Sequence, residues 1–430
     1  VTIASPLRAE GLRALRHRNY RLFYAGQGTS LVGTWMQAVA QAWLVLELTD
    51  EPLALGLVAA AQFVPVLVLG LFGGIVADSL PKRRTLVVLQ AAMMLLAVTL
   101  FALTATDVIE VWMILVLAFL LGTLNAFEMP VRQAFAVELV GRADMPSAIG
   151  LSAAMFNASR IVGPAIGGLV IAAAGVETAF LLNAVSFGAV LVAYALMRTA
   201  DLYPIARLER PGSARDVVRS LREGLGYVRR TPVILLGVTT VGLVSMLAMN
   251  FQVLVPLLAR DVLAVGAEGF GFLMAASGVG SLIASVWLAF GRGIRPWVIV
   301  GGAMLIGAAV AALGLTTSYP IAAGLLFLAG MGGIAMAVGA NMTNQLTAPD
   351  ELRGRVIGVH TTIFVGSSPI GGLIAATIAS LASVEAAFIF GGILSLVVGL
   401  VGAAWLRRAL RDGTVVISPA SRGRAAAAPG

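Results

Sequence analysis

Long apolar runs alternate with short polar breaks from one end of the chain to the other. Charge-free runs of the length that crosses a bilayer, about 20 residues, recur at Leu22–Leu46, Pro52–Ala77, Thr85–Thr106, Thr178–Met197, Thr231–Ala259, Gly269–Gly291, Val356–Val384 and Ala386–Leu406. Pro296–Pro349 is long enough for two more, with Thr316-Thr317-Ser318-Tyr319-Pro320 as the break. Two further spans hold charges inside them: Val111–Leu139 with Glu128 and Arg132, and Met145–Gly175 with Arg160. The pattern predicts an all-α integral membrane protein with twelve transmembrane helices.

Three short segments recur in order in the two halves of that pattern. Glu138-Leu139-Val140-Gly141-Arg142 matches Glu351-Leu352-Arg353-Gly354-Arg355; Ile166-Gly167-Gly168-Leu169 matches Ile370-Gly371-Gly372-Leu373; Val176-Glu177-Thr178-Ala179-Phe180 matches Val384-Glu385-Ala386-Ala387-Phe388. Six helices per half gives both halves one orientation, so they are read as parallel repeats, for which a substrate site near the midplane is the rule. The expected organisation is an N-terminal arm (1–18), a first bundle (19–198), a linker (199–230), a second bundle (231–408) and a disordered tail (409–430). Within the linker, Val217, Val218, Leu221, Leu225 and Val228 share one face of a helix expected over Ser213–Arg230. That helix would lie on the membrane surface or pack beneath the bundle; the pattern fits both.

Composition narrows the function. Of 430 residues 59% are hydrophobic and 12% charged, against about 25% charged in soluble domains. Without cysteine and with two histidines, His17 and His360, a metal site is not expected. No Walker-type phosphate loop is present, which argues against ATP as the energy source. No nucleophile–base pair suggests an enzyme, and no cofactor is expected. The net charge of +8 comes from loops on one side. With the N-terminus in the cytoplasm, every Lys and Arg except Arg160 and Arg260 falls inside, which predicts both termini cytoplasmic. The charge then serves orientation and contact with anionic lipid, not nucleic acid.

Gly73-Gly74-Ile75-Val76-Ala77-Asp78-Ser79-Leu80-Pro81-Lys82-Arg83-Arg84 after the second helix resembles the loop motif of the major facilitator superfamily. Gly163-Pro164-Ala165-Ile166-Gly167-Gly168 in the fifth resembles the antiporter signature of its exporting branches. Pro130-Val131-Arg132-Gln133-Ala134 and Pro349-Asp350-Glu351-Leu352-Arg353-Gly354-Arg355 resemble the branch of enterobactin-type and macrolide-type exporters, the transmembrane secretion effectors. The second-half loop Gly291-Arg292-Gly293-Ile294-Arg295-Pro296 keeps the bases and lacks the acid. The resemblance implies two pseudo-symmetric six-helix bundles around a cavity and alternating access. It implies export of a hydrophobic or amphiphilic small molecule, such as a drug or siderophore, in exchange for protons. It also implies a bacterial inner-membrane location, and a monomer is expected. A lipid or lysolipid flippase of the same fold, and a non-transporting receptor or scaffold, are the alternatives.

Ionisable groups within spans are costly and default to function. Glu128 and Arg160 fall at similar depth on consecutive helices, so an ion pair between them is expected, with Arg132 one turn away as a competitor for the carboxylate. A carboxylate that loses its cation in a dry site holds a proton more readily, so Glu128, Arg160, Arg132 and then His360 are the proton-coupling candidates; a permanent structural pair and direct substrate contact are the other readings. By resemblance, Asp78 with Lys82, Arg83 and Arg84 would latch the inner gate near the start of the eleventh helix. Gly163, Pro164, Gly167 and Gly168 would seal the cavity by letting helices approach closely. Trp35, Gln37, Gln41, Asn125, Met129, Asn250, Asn341 and Asn344, on the helices that line the cavity in that fold, are the substrate-binding candidates.

Overall fold

The computed structural model describes residues 11–203, 214–289 and 296–413. Outside them lie most of the arm, the stretch 204–213, the loop with Arg292 and Arg295, and residues 414–430 of the tail, whose first residues 409–411 are helical rather than disordered; the side chains of Leu71, Gly74, Ile75, Asp78 and 214–218 are likewise not described. Each apolar run is a helix. The first half holds α1 (Arg18–Leu48), α2 (Pro52–Ser79), α3 (Lys82–Ala105), α4 (Val111–Val140), α5 (Met145–Ala174) and α6 (Val176–Leu196). The linker helix α7 (Ala214–Arg230) follows. The second half holds α8 (Pro232–Val262), α9 (Ala267–Ala289), α10 (Pro296–Leu313), α11 (Tyr319–Thr347), α12 (Asp350–Leu381) and α13 (Val384–Arg411). The helices other than α7 are the 12 that are long and apolar enough to span a membrane.

Helix is the form that closes every backbone hydrogen bond within one segment, which lipid demands. Proline at the first turn starts α2, α5, α8 and α11. Gly141 (φ 71) and Gly175 (φ 86) adopt the left-handed backbone that stops α4 and α5. Several helices run past their apolar stretch: α1 begins at Arg18, α3 at Lys82 and α12 at Asp350. Those charges sit on the first turn, beyond the apolar stretch, where polar groups reach polar surroundings.

One run expected to be continuous is broken. α8 stops at Ala248, restarts at Phe251, and ends in a wide turn over Leu258–Val262. The Asn250 amide donates to the Met246 carbonyl at 2.8 Å, partnering a carbonyl at the break. Its repeat partner α1 is a single helix.

The repeat seen in the sequence is a repeat of contacts. Gly167 of α5 lies against Met36 of α1, and Gly371 of α12 against Met246 of α8. Gly168 meets Ala267 and Glu268 of α9, while Gly372 meets Ala59 of α2. The halves are therefore joined by two equivalent seams, α5 on α9 and α12 on α2. A Cβ on Gly271 would come 2.3 Å from the Pro164 carbonyl oxygen, so only glycine permits the α5–α9 approach.

The linker helix packs beneath the bundle, which decides between its two placements. Val228 is buried, and Leu221 and Leu225 pack against it with Ile234, Val356 and Val359. Glu223 pairs with Arg355 of α12. The two ends of the molecule differ. At the end away from the termini a single apolar cluster joins the halves, from Leu46, Leu55 and Ile171 to Leu254, Phe270 and Ala376. There Arg260 bonds the Leu46 carbonyl at 2.7 Å and pairs with Asp50 at 3.3 Å. At the end with the termini each half has its own cluster, around Phe135 and Tyr194 in the first and Val356 in the second.

Candidate functional site

Two adjoining cavities open between the halves and share Trp35 and Gln252. The first, about 150 Å³, belongs to the first half. One face of α1 supplies Gln27, Ser30, Thr34, Gln37 and Gln41, which recur every three or four residues and so form one polar stripe. α2 adds Gln62, α3 Gln90, α4 Asn125, Glu128 and Arg132, and α6 Asn183. The Asn183 amide donates to Gln37 Oε1 at 2.5 Å and accepts from the Ser186 hydroxyl at 3.0 Å, which holds α6 to α1.

Glu128 is the acid of this cavity and is 3% exposed. Arg132 Nε lies 2.9 Å from Oε1 and 3.2 Å from Oε2, and Gln90 Nε2 lies 3.3 Å from Oε1. The expected Glu128–Arg160 pair is thus not formed. An i,i+4 partner is fixed by the helix itself, whereas Arg160 of α5 turns to the other half and donates to the Ser281 hydroxyl of α9. Arg160 lines the second cavity, about 260 Å³, whose walls are Ala59 and Phe63 of α2, Met249 to Val253 at the α8 break, Met274 of α9, Gly330, Gly333 and Ile334 of α11, and Phe364 and Ser368 of α12. The cavity is therefore two-sided: amide-rich with a buried ion pair in the first half, largely apolar with a lone guanidinium in the second.

Of the substrate-binding candidates, Trp35, Gln37, Gln41, Asn125 and Asn250 line these cavities. Met129 is 44% exposed on another face of α4, and Asn341 and Asn344 lie beyond the lined stretch of α11. Asn341 accepts from Gln345 at 3.3 Å, and the fully buried amide of Asn344 has no partner among the described residues. His360 is buried on α12 away from both cavities, with Nδ1 unpartnered among the described residues. Gln27, Ser30, Thr34, Gln62, Gln90, Asn183 and Ser281 were not among the candidates. The three- and four-residue spacing on α1 is the sequence signal that finds the first of them.

Among the gate candidates, Lys82 pairs with Glu138 at 2.8 Å, joining the starts and ends of α3 and α4 within one half. Arg83 bonds the Tyr194 carbonyl at 2.9 and 2.6 Å, capping the end of α6. Arg84 is exposed, and the Asp78 side chain lies outside the described residues. Gly163 and Gly167 close on Trp35 and Met36 of α1, whereas Pro164 and Gly168 close on α9, so this segment joins the cavity wall to the seam between halves.

Twelve helices in two pseudo-symmetric bundles around a central cavity define a major facilitator superfamily transporter. The fold matches solved transporters, among them the nucleoside transporter NupG, with TM-score 0.70 at 10% identity over 93% of this chain and 99% of that one. The sequence matches the transmembrane secretion effector family over residues 9–418, and the chain belongs to that family. It is 29% identical over 385 residues to the multidrug efflux pump Tap of Mycolicibacterium fortuitum, covering 87% of this chain and 92% of that protein. It is 26% identical over 270 residues to the staphyloferrin A transporter of Staphylococcus aureus, covering 62% and 66%.

Proposed function

We propose that the chain exports an amphiphilic small molecule by alternating access, in exchange for protons bound at Glu128. The observation that carries this reading is a carboxylate 3% exposed in a cavity between the halves. A buried ionised group costs several kcal/mol unless paired, and Arg132, 21% exposed, is a partner that incoming substrate or water can draw away. Glu128 then takes a proton, and in the reverse swing Arg132 returns and releases it. The relatives named for drug efflux and siderophore transport support export of a small molecule.

Basic loops at the end with the termini support placing that end in the cytoplasm of a bacterial cell. On that placement the joined clusters and the Arg260–Asp50 contact close the outer side, and the structure is the inward-facing state. The seams α5–α9 and α12–α2 are the surfaces on which the halves rock.

The purified protein in liposomes with an imposed pH gradient tests the reading, scanned over dyes, antibiotics and lipids. Transport of a small molecule that follows the gradient is expected. Transport indifferent to the gradient would remove proton coupling, and movement of lipid alone would favour a flippase.

A further inference from the structure

The two cations in the cavity are not equivalent. Arg132 is balanced by Glu128. Arg160 is balanced by no carboxylate among the described residues; its partner is the Ser281 hydroxyl. That hydroxyl already lies 2.9 Å from the Ser277 carbonyl and 3.0 Å from the Gly330 carbonyl, so it is held by α9 and α11 independently of Arg160. A guanidinium carries five N–H donors in a planar fork suited to carboxylate, sulfonate or phosphate. One hydroxyl leaves most of that fork unused.

Among the described residues, the lining of this cavity contains donors but no acid. Ser245, Ser277 and Ser368 line the same cavity, and Phe63, Phe364 and Met274 supply its apolar wall. A structural latch is a poor account of the arrangement. Gly278 already meets the Arg160 carbonyl and the Ile161 side chain, so α5 and α9 are in contact without the guanidinium. A charge at an apolar cavity is costly to hold unpaired, and an entering anion would supply the missing countercharge.

We propose that Arg160 is the subsite for the acidic group of the cargo, and that the cargo is an amphiphilic anion. Its acidic group meets Arg160, and its apolar body lies against Phe63 and Phe364. This rests on the reading of the cavity as the transport cavity, but it concerns binding and needs no gradient.

The test uses the full chain in nanodiscs of neutral lipid and three probes of one scaffold: 2-naphthaleneacetate, 2-(2-naphthyl)ethylammonium and 2-(2-naphthyl)ethanol. Their dissociation constants are measured at one pH and at two salt concentrations. The acetate should bind at least about tenfold more tightly than the other two, as charge-assisted bidentate contacts allow. Arg160→Gln should erase that preference, and Arg160→Lys should retain part of it. Equal affinities of the wild-type chain for anion and amine would overturn the proposal whatever the variants do, and a preference that survives in folded Arg160→Gln would overturn it as well. Should Arg160→Gln fail to fold, Ser281→Ala leaves the guanidinium in place and must keep the preference; its loss there would contradict the assignment. Displacement of the acetate by phosphatidylglycerol would identify a lipid headgroup as the anion, and failure to displace would identify a soluble acid; both uphold the site. Anion binding with no gradient-driven transport would sink the coupling scheme and spare this subsite.

Discussion

Helix α4 carries Glu128 and Arg132 one turn apart, and α11 carries Asn341 and Gln345 at the matching register of the repeat. Both pairs form: the ionic one at 2.9 Å, the amide one at 3.3 Å. The same backbone geometry thus holds a charged couple in one half and a neutral one in the other. The α1–α8 pair differs in parallel. α1 is continuous and shows its polar stripe to the cavity, whereas α8 breaks at Asn250 and shows a mixed surface of Met249, Asn250, Phe251, Gln252 and Val253. Broken spans are tolerated in membranes where they line a cavity. The lesson is a division of labour: two halves share a packing plan, set by glycines, and diverge where side chains face the cavity.

The largest effect should come from the shared plan. A Cβ at Gly371 would sit 2.1 Å from the Met246 carbonyl oxygen, while one at Gly167 would sit 3.2 Å from Met36 atoms. Gly371→Ala must move backbone and should destabilise by about 1–3 kcal/mol, Gly167→Ala by less. Thermal unfolding of both purified variants checks the order; equal losses would show the α12–α8 and α5–α1 contacts to be more alike than these distances.

Arg132→Ala comes next. It leaves a nearly buried carboxylate without its cation; the penalty for breaking a fully buried pair is discounted here because Arg132 is partly exposed, to about 1–2 kcal/mol. The counterpart Gln345→Ala removes an exposed amide and should cost within about 0.5 kcal/mol. Introducing Glu128→Asn with Arg132→Gln copies the second half into the first. It should recover most of the stability lost in Arg132→Ala and none of the gradient-driven transport. A double variant that transports normally would mean that the charge asymmetry has no functional weight.

Arg260→Ala probes the closed end against the open one. Asp50 is fully exposed, so water screens the ionic part and the bond to the Leu46 carbonyl is the contact that matters. A thiol label placed on a cavity residue of this cysteine-free chain should react faster from the outer side in this variant, with the reaction from the inner side little changed.

The smallest effect concerns the arm. His17 bonds Asp144 at 2.8 Å, and with Arg13 nearby this holds the Asp144 carboxyl below the usual carboxylate range. A lowered pKa in the folded state stabilises above the unfolded value, about 3.9, and the gain is lost as pH falls through the folded one. Wild type and Asp144→Asn should therefore differ slightly at neutral pH and converge below about pH 4. No such convergence would detach the arm from the fold's acid sensitivity.

The spans were legible because lipid allows few alternatives to an apolar helix, and charged end turns such as those with Arg18, Asp350 and Arg408 fell outside the runs. The α8 break was not legible, since Asn250 sits in an apolar run that pattern alone reads as continuous. Depth along neighbouring helices pointed Glu128 toward Arg160; the i,i+4 spacing to Arg132, a feature of one helix, was the stronger guide. Asn341 and Asn344 share the right helix with the cavity but not the right depth, and residue type alone does not report depth. Gln27 to Gln41 could have been read as one stripe from their spacing.

Glu128→Gln in proteoliposomes tests the central claim most directly. Substitution keeps the volume and removes the titrating group. Substrate flux is measured with and without a pH gradient, alongside exchange at equilibrium. Binding and passive exchange should persist while gradient-driven accumulation disappears. Accumulation at the wild-type rate by the folded variant would contradict the account.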